Sequence, residues 1–350
     1  MKKQIAYLQW LRLFGAAAVV LMHTAASRWQ AVPADSARWL ALTGWDALVR
    51  WPVPVFVMIT GAIFLPRKTP VREALCRYVP RMALAYLIWA TVYALHSVGP
   101  GAGFRELVTA AASGHYHLWY LPFLCGVYLM LPFLQKIAED ERLTAQLLGL
   151  SLVIAQGIPW LVDLAAVLLP EWSKALRAVE NHLHFTFFFD LMSLLLLGHL
   201  LARREISKKA RRLLWVAGVL SIPLTLAGTL WLTGVTGAPS TIFFDHASPT
   251  TLCAGAALFV FAKYHLTALP RWAVWLADRS FGVYLIHVLV LELLAEAGWD
   301  VLAFAPAWWT PVLAFAPAWW TPVLAFAVFG ISAIATAVLQ KVPVLGKYLA

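Results

Sequence analysis

The sequence predicts an all-α protein, a polytopic transmembrane helix bundle of about ten spans with both termini in the cytoplasm. Three observations carry that expectation. First, 62% of the 350 residues are hydrophobic and 13% charged, with a mean hydropathy of +0.75. A soluble domain carries about 25% charged and about 45–50% apolar residues, so a water-facing surface has nothing to cover it here. Second, apolar runs long enough to cross a bilayer recur along the whole chain, each needing about 20 mostly apolar residues. Third, basic residues alternate in number from one inter-run segment to the next. The 18 Trp fit the same picture, because Trp and Tyr gather at membrane–water interfaces.

The runs fall at Ile5–Ala25, Leu40–Leu65, Val79–Ser97, Leu118–Phe133, Thr144–Val162, Phe185–Leu201, Leu213–Thr233, Pro249–Leu266, Phe281–Ala297 and Val323–Leu339. The first is too long for the core of a signal peptide and Arg12 interrupts it, so it reads as a retained helix. With the N-terminus inside, 20 Lys and Arg fall on the cytoplasmic side. Only 5 fall outside (Arg28, Arg38, Arg105, Lys174 and Arg177), and Arg12 and Arg50 lie within spans. This bias fixes the orientation and requires an even number of spans. It also accounts for the net charge of +10. The basic loops therefore argue neither for nucleic acid nor for an anionic substrate. The chain reads as one transmembrane domain over residues 1–350.

Cys76, Cys125 and Cys253 have no metal-ligand spacing and form no even disulfide framework. They read as small buried hydrophobes, and no metal site is expected. Residues Val301–Pro311, VLAFAPAWWTP, are repeated unchanged at Val312–Pro322, and Val323–Ala327 begin a third copy. Prolines at 306, 311, 317 and 322 disfavour a continuous helix. The repeat reads as a tandem duplication in the outer loop before the last span, with a re-entrant segment as the alternative.

Ionisable groups inside a bilayer carry the functional information, since each is disfavoured by about 2.5–3.5 kcal/mol on insertion scales. Arg12 and His23 lie eleven residues apart in the first run. At about 100° and 1.5 Å per residue they share one helix face, about 16 Å apart along the axis. Separately, Arg12 reads equally as a snorkelling arginine and His23 as an interfacial histidine. Two such groups on one face point to a site. Arg50 lies deep in the second run beside Pro52 and Pro54. It reads either as lining a cavity formed by freed carbonyls or as a structural ion pair with Asp46 one turn earlier. His115 and His117 open the fourth run in HYHLWYLPF, where Trp119 and Tyr120 have the character of an interfacial belt. His287 sits near mid-depth in SFGVYLIH, with Tyr284 one turn away. Asp190 lies in the sixth run. His96, His199, His246 and His265 fall near run ends, where water reaches them, and receive no role. No P-loop, HExxH, G-x-S-x-G or strand-borne G-x-G-x-x-G is present.

An arginine and a histidine separated by ten residues in the first run, then VPVFVMITGAIFL, HLWYLPF and SFGVYLIH in that order, resemble the acyltransferase-3 family of bacterial membrane O-acyltransferases. The resemblance covers nearly the whole chain and is most like the branch that O-acetylates enterobacterial common antigen. It implies a multi-pass protein of the bacterial inner membrane. No cofactor is bound; acetyl-CoA is the acyl donor, and the acceptor is a hydroxyl of an envelope glycan or lipid-linked sugar. By that resemblance Arg12, His23 and Arg50 are the catalytic candidates, and His117, Trp119, Tyr284 and His287 are candidates for substrate contact. The duplicated segment departs from the family pattern, as does the lack of the extra soluble domain some members carry.

The chemistry of the residues agrees with that carry-over. Transfer to a hydroxyl needs a base that titrates near neutrality and a cation for the donor or the developing oxyanion. Arg12 would hold the anionic donor near the inner side. His23 would act as base or as acyl acceptor in a relay, and Arg50 would stabilise charge. A transporter or flippase of glycans or lipid-linked sugars is the rival reading, since it shares the composition, the buried ionisable groups and the proline-broken helices.

Overall fold

The computed structural model describes residues 2–183, 190–302, 316–342 and 346, and among these there is no strand. Fourteen helices carry the argument below, labelled in chain order: α1 Lys2–Ala26, α2 Ala37–Leu48, α3 Pro52–Phe64, α4 Val71–Val98, α5 Phe104–Ser113, α6 Tyr120–Ala138, α7 Glu141–Leu168, α8 Ser173–Leu183, α9 Ser193–Arg203, α10 Lys208–Thr236, α11 Pro249–His265, α12 Arg271–Ala277, α13 Ser280–Glu296 and α14 Ala316–Leu339. Every predicted apolar run is occupied by helix. Residues 185–189 of the sixth run lie outside the described residues; the rest of that run is a short turn, Asp190–Met192, and α9.

Among the described residues, 7 helical stretches are long and apolar enough to cross a membrane, or 8 when α12 and α13, bent by 63° at Asp278–Arg279, count as one. The other two predicted runs fall on α9 and α11, of 11 and 17 residues. Large apolar side chains such as Leu87, Leu213, Phe326 and Ile334 stand exposed on these helices, as an apolar solvent allows and water does not. Cys76 is exposed as well, and Cys125 and Cys253 are only half-buried. The expectation of buried cysteines fails for the same reason: beside lipid, a small apolar side chain gains little by turning inward.

Proline sets the irregularities. Pro52 opens α3, where its missing N–H has no helical acceptor to lose, and the second run is accordingly split into α2 and α3. Ser36 caps α2 by accepting from the Trp39 N–H at 3.1 Å. One wide turn, Ala74–Tyr78, precedes Pro80 in α4, and another, Leu152–Gly157, precedes Pro159 in α7. Such turns spare the carbonyl that the proline cannot pair.

Close contact between helices rests on glycine. A Cβ on Gly61 of α3 would overlap the Leu195 backbone of α9, and one on Gly198 would overlap the Met58 backbone of α3. Gly218 meets Ala257 between α10 and α11, and Gly282 meets Thr336 between α13 and α14. Where lipid supplies no hydrophobic drive between helices, small residues gain association by letting backbones touch.

The sequence placed the second repeat copy in a loop. Its residues 312–315 lie outside the described residues, as do 303–311 of the first copy. Ala316–Pro322, however, form the opening turns of α14. Pro317 sits in the first turn, where N–H groups lack helical acceptors. Pro322 lies further in, beside the fully buried Thr321. The Trp320 indole N–H donates to the Asp300 carbonyl at 2.9 Å and ties this end of α14 to the chain preceding the repeat. Because the copies are identical, deleting Val312–Pro322 places Ala305–Pro311 in front of Val323 with the α14 sequence unchanged. The deletion variant is expected to insert and accumulate like the full chain, measured by membrane fractionation and size-exclusion profile. Loss of insertion would show that the longer connection is required.

Arg50 lies in the break between α2 and α3 and pairs with Asp46, whose side chain is 1% exposed; its guanidinium also lies 4.3 Å from the Phe244 ring centroid. Removing one partner of a buried pair costs about 3–5 kcal/mol, because the other charge is left alone. Arg50→Ala is therefore expected to cut the amount of folded protein sharply. Asp46→Asn combined with Arg50→Gln should recover much of it. A normal monodisperse yield from Arg50→Ala alone would count the pair out as a support of the fold.

Candidate functional site

Arg12 and His23 both reach one cavity of about 320 Å³ along α1, as their spacing predicts. Its walls are mostly apolar: Val19 and Met22 of α1, Val53, Phe56, Ile59 and Ile63 of α3, Leu124 of α6 and Phe281 of α13. Thr60, Tyr120, Tyr128 and Tyr284 add hydroxyls. Arg12 lies on α1 three turns before His23, toward the helix N-terminus. It makes a long contact of 3.4 Å to Gln9, and among the described residues no carboxylate pairs with it. A cation on an apolar tunnel with no ion partner is suited to an anionic ligand.

His23 also forms part of a second cavity, of about 570 Å³. This one is more polar than the first: Arg28, His96, His115, Tyr116, Glu292, Glu296 and Asp300 line it beside apolar side chains such as Val288 and Leu291. Its one arginine, Arg28, is engaged by Asp300 at 3.0 Å. Glu292 receives His115 Nε2 at 3.1 Å and His96 Nε2 at 3.5 Å, and Glu296 lies 3.5 Å from His96. His23 thus lines both a mostly apolar cavity that it shares with Arg12 and a second one with several carboxylates and imidazoles.

Around His23 gather His287 and His117, with ring centroids 5.2 and 6.4 Å away, and these two lie 5.4 Å from each other. Tyr116 packs its edge against His23 at 5.2 Å. His117 comes from the short turn Tyr116–Trp119 ahead of α6. Gly114, at φ +68°, turns the chain out of α5 into that segment, and a Cβ there would strike the Tyr86 hydroxyl. His115 Nδ1 and His117 Nδ1 meet at 3.0 Å, and the Tyr284 hydroxyl donates to the His117 carbonyl at 2.6 Å. His287 is held by its own helix, with Nδ1 at 2.8 Å from the Tyr284 carbonyl and 3.1 Å from that of Val283. Carbonyls only accept, so Nδ1 carries the proton. Nε2 of His287 and Nε2 of His117 are both buried without a hydrogen bond.

Tyr93 holds this arrangement from α4. Its hydroxyl donates to the Leu285 carbonyl at 2.9 Å and accepts from the Leu289 N–H at 3.0 Å, entering the α13 ladder on either side of His287. Its ring stacks on His115 at 4.4 Å.

The structure therefore brings together Arg12, His23, His117, Trp119 and Tyr284 along the apolar cavity, with His287 against His23. Trp119 lies over His246, ring centroids 6.1 Å apart. Arg50 is not among the residues lining either cavity; its partner is Asp46, the second of the two readings weighed for it. Sequence reasoning gave no role to His96, Glu292, Tyr93, Tyr116 or Tyr128. Among the described residues, no group of three or more His, Cys, Asp or Glu side chains is set to hold a metal ion.

Neither a curated protein nor a solved structure matches the chain. Residues 5–339 match the family model described as an acyltransferase domain, Acyl_transf_3, which takes in nearly all of the helices and both cavities. Both cavities lie within the matched residues, and the chain belongs to the acyltransferase-3 family.

Proposed function

We propose that this membrane acyltransferase moves an acyl group, acetyl by its sequence resemblance, from a CoA thioester supplied by the cytoplasm. The acceptor is a hydroxyl of an envelope glycan or lipid-linked sugar on the opposite side of a bacterial inner membrane. The observation that carries the reading is the position of His23 in both cavities. Donor and acceptor can then meet at one imidazole without sharing an access route. The apolar cavity suits a slender acyl-thioester arm, and its volume falls at the low end of ligand sites, about 300–1,000 Å³. Arg12 would hold anionic groups of the donor where the arm leaves the membrane. The carboxylates and imidazoles of the polar cavity suit sugar hydroxyls, which both donate and accept. His23 acts at the reacting centre, as base or as acyl carrier. A flippase for glycans would use similar buried polar groups; membership of an acyltransferase family favours the enzyme.

The topology is part of the proposal: ten spans with both termini cytoplasmic. Its support is that helices occupy all ten runs and that basic residues cluster on one side. Reporter fusions at Lys68 and Lys208 are expected to report cytoplasm and one at Lys174 the outside. An outside signal at Lys208 would overturn the orientation.

For activity, His23→Ala should abolish acyl transfer while the protein inserts normally, since loss of general acid–base catalysis alone removes about 10²–10⁴-fold. Arg12→Ala should fail too. Arg12→Lys should recover only part, because Lys keeps the charge and loses the planar fork. The measurement is acylated envelope glycan, by mass spectrometry, per unit of membrane-inserted protein. Near-normal product from His23→Ala would remove His23 from the mechanism.

A further inference from the structure

We infer that the cleft between the first turns of α10 and the last turns of α11 binds the headgroup of one anionic phospholipid. The inference is independent of the acyl-transfer reading.

Glycine sets the cleft. Gly218 brings α10 onto α11 at Ala257, where the Cβ it lacks would overlap the alanine methyl. From that crossing toward the start of α10 and the end of α11, the helices leave a cavity of about 280 Å³. Lys208, Arg211, Arg212 and Trp215 line it from α10. They stand at i, i+3, i+4 and i+7, on one helix face. Phe261 and His265 line it from α11, with their rings stacked at 4.7 Å.

The charge of this cavity is uncompensated. No carboxylate lines it, and among the described residues none of its three basic side chains is ion-paired. Glu205, three residues before Lys208, accepts from the Tyr264 hydroxyl at 3.0 Å. The C-terminal end of α11 adds about half a negative charge, which three cations outweigh. The Arg211 guanidinium lies 4.0 Å from the Tyr264 ring centroid. Stacking of this kind fixes the plane of the guanidinium without using its N–H donors. Arg211 Nε is accordingly buried with no hydrogen bond. The number of basic residues on this side of the membrane follows from topology. The gathering of three around one cavity, one of them held on an aromatic ring, does not.

A free anion would use the cations alone. Here the cationic end continues into an apolar one. Arg211, Trp215 and Val219 fall at i, i+4 and i+8, so one stripe of α10 passes from guanidinium to indole to an aliphatic side chain. Trp215 and Val219 are exposed, on a helix long and apolar enough to cross the membrane. A phosphodiester at the cations, with its acyl chains along Trp215 and Val219, satisfies both ends. Basic pockets between membrane helices on the cytoplasmic side suit such headgroups, and the topology proposed above puts this cleft on that side. No residue lines both this cavity and the one that Arg12 reaches, so a bound lipid leaves the apolar cavity free.

The test is native mass spectrometry of the full-length protein released from detergent micelles, with phosphatidylglycerol or phosphatidylcholine titrated in. Wild-type protein is expected to hold one phosphatidylglycerol in preference to phosphatidylcholine. Arg211→Gln combined with Arg212→Gln should weaken phosphatidylglycerol binding about 25-fold, at about fivefold for each basic residue. Lys68→Gln combined with Arg72→Gln removes two exposed cations outside the cleft and should leave binding unchanged. Arg212 is exposed, so Arg212→Glu reads the site even if the double variant at 211 and 212 fails to fold, and it too should lose the preference. Equal binding of the two lipids by wild-type protein, or a preference kept in Arg212→Glu, overturns the proposal. An equal loss in the variant at 68 and 72 overturns it as well, by marking a general effect of charge. Full displacement of the lipid by acetyl-CoA or inorganic phosphate at matching concentration would make this a site for a soluble anion and overturn the lipid assignment. Acyl transfer is not read in any arm, so failure here leaves the proposed function untouched.

Discussion

An ionisable side chain among membrane helices persists only if its neighbours answer it, and the site depends on that requirement. The helix-1 histidine packs against His287, His117 and Tyr116, and two tyrosines packed on the neighbouring imidazoles spend their hydroxyls on backbone. Tyr93 is occupied by Leu285 and Leu289, and Tyr284 by the His117 carbonyl. With those hydroxyls engaged, Nε2 of His117 and Nε2 of His287 are left buried without a geometric hydrogen bond. In a low-dielectric interior, such atoms are strongly biased toward any group that can donate to them. The arrangement is prepared for a hydroxyl before one arrives, which is how preorganised sites lower a barrier.

Preorganisation needs a frame that does not yield, and here it comes from backbone contact. The Gly61 and Gly198 crossings press α3 and α9 together, and Gly282 seats α13 against α14. Side chains at such crossings would hold the helices apart, and the tunnel wall formed by α3 would shift relative to α1. The Asp46–Arg50 pair acts next to this frame, where α2 gives way to α3. It neutralises two charges at a point where a proline start leaves the ladder open. It holds the start of α3, a helix that lines the apolar cavity.

The sequence made the helices legible because a span announces itself by length and hydropathy alone, and it made the α1 face legible because eleven residues bring a helix back to its own azimuth. The i, i+4 pair of Asp46 and Arg50 was legible for the same local reason. What was not legible is long-range. His96 was dismissed as lying near water, and nothing in the sequence of α4 says that it meets Glu292 of α13. Tyr93 carries no motif, yet it enters a helix nearly two hundred residues away in the chain. The repeat misled in a different way. Proline spacing argues against helix, but proline is tolerated in opening turns, and Ala316–Pro322 of the second copy are helical.

The two cavities differ in a manner that bears on how a single histidine can serve both sides of a membrane. The one ending at Arg12 is apolar and has an unpaired cation; the other has carboxylates that outnumber its one arginine, which is already paired with Asp300. On the proposed reaction, a polyanionic donor would be drawn to the first and repelled by the second, whereas a neutral polyol would find acceptors and donors in the second and little to bind in the first. Such sorting depends on differences of affinity rather than on a moving gate, since specificity follows from what each site rejects as much as from what it holds. It would keep the donor from crossing to the acceptor side even with both cavities open at once. On that proposal the histidines would be the place where the two chemistries meet, and only the acyl group would need to pass.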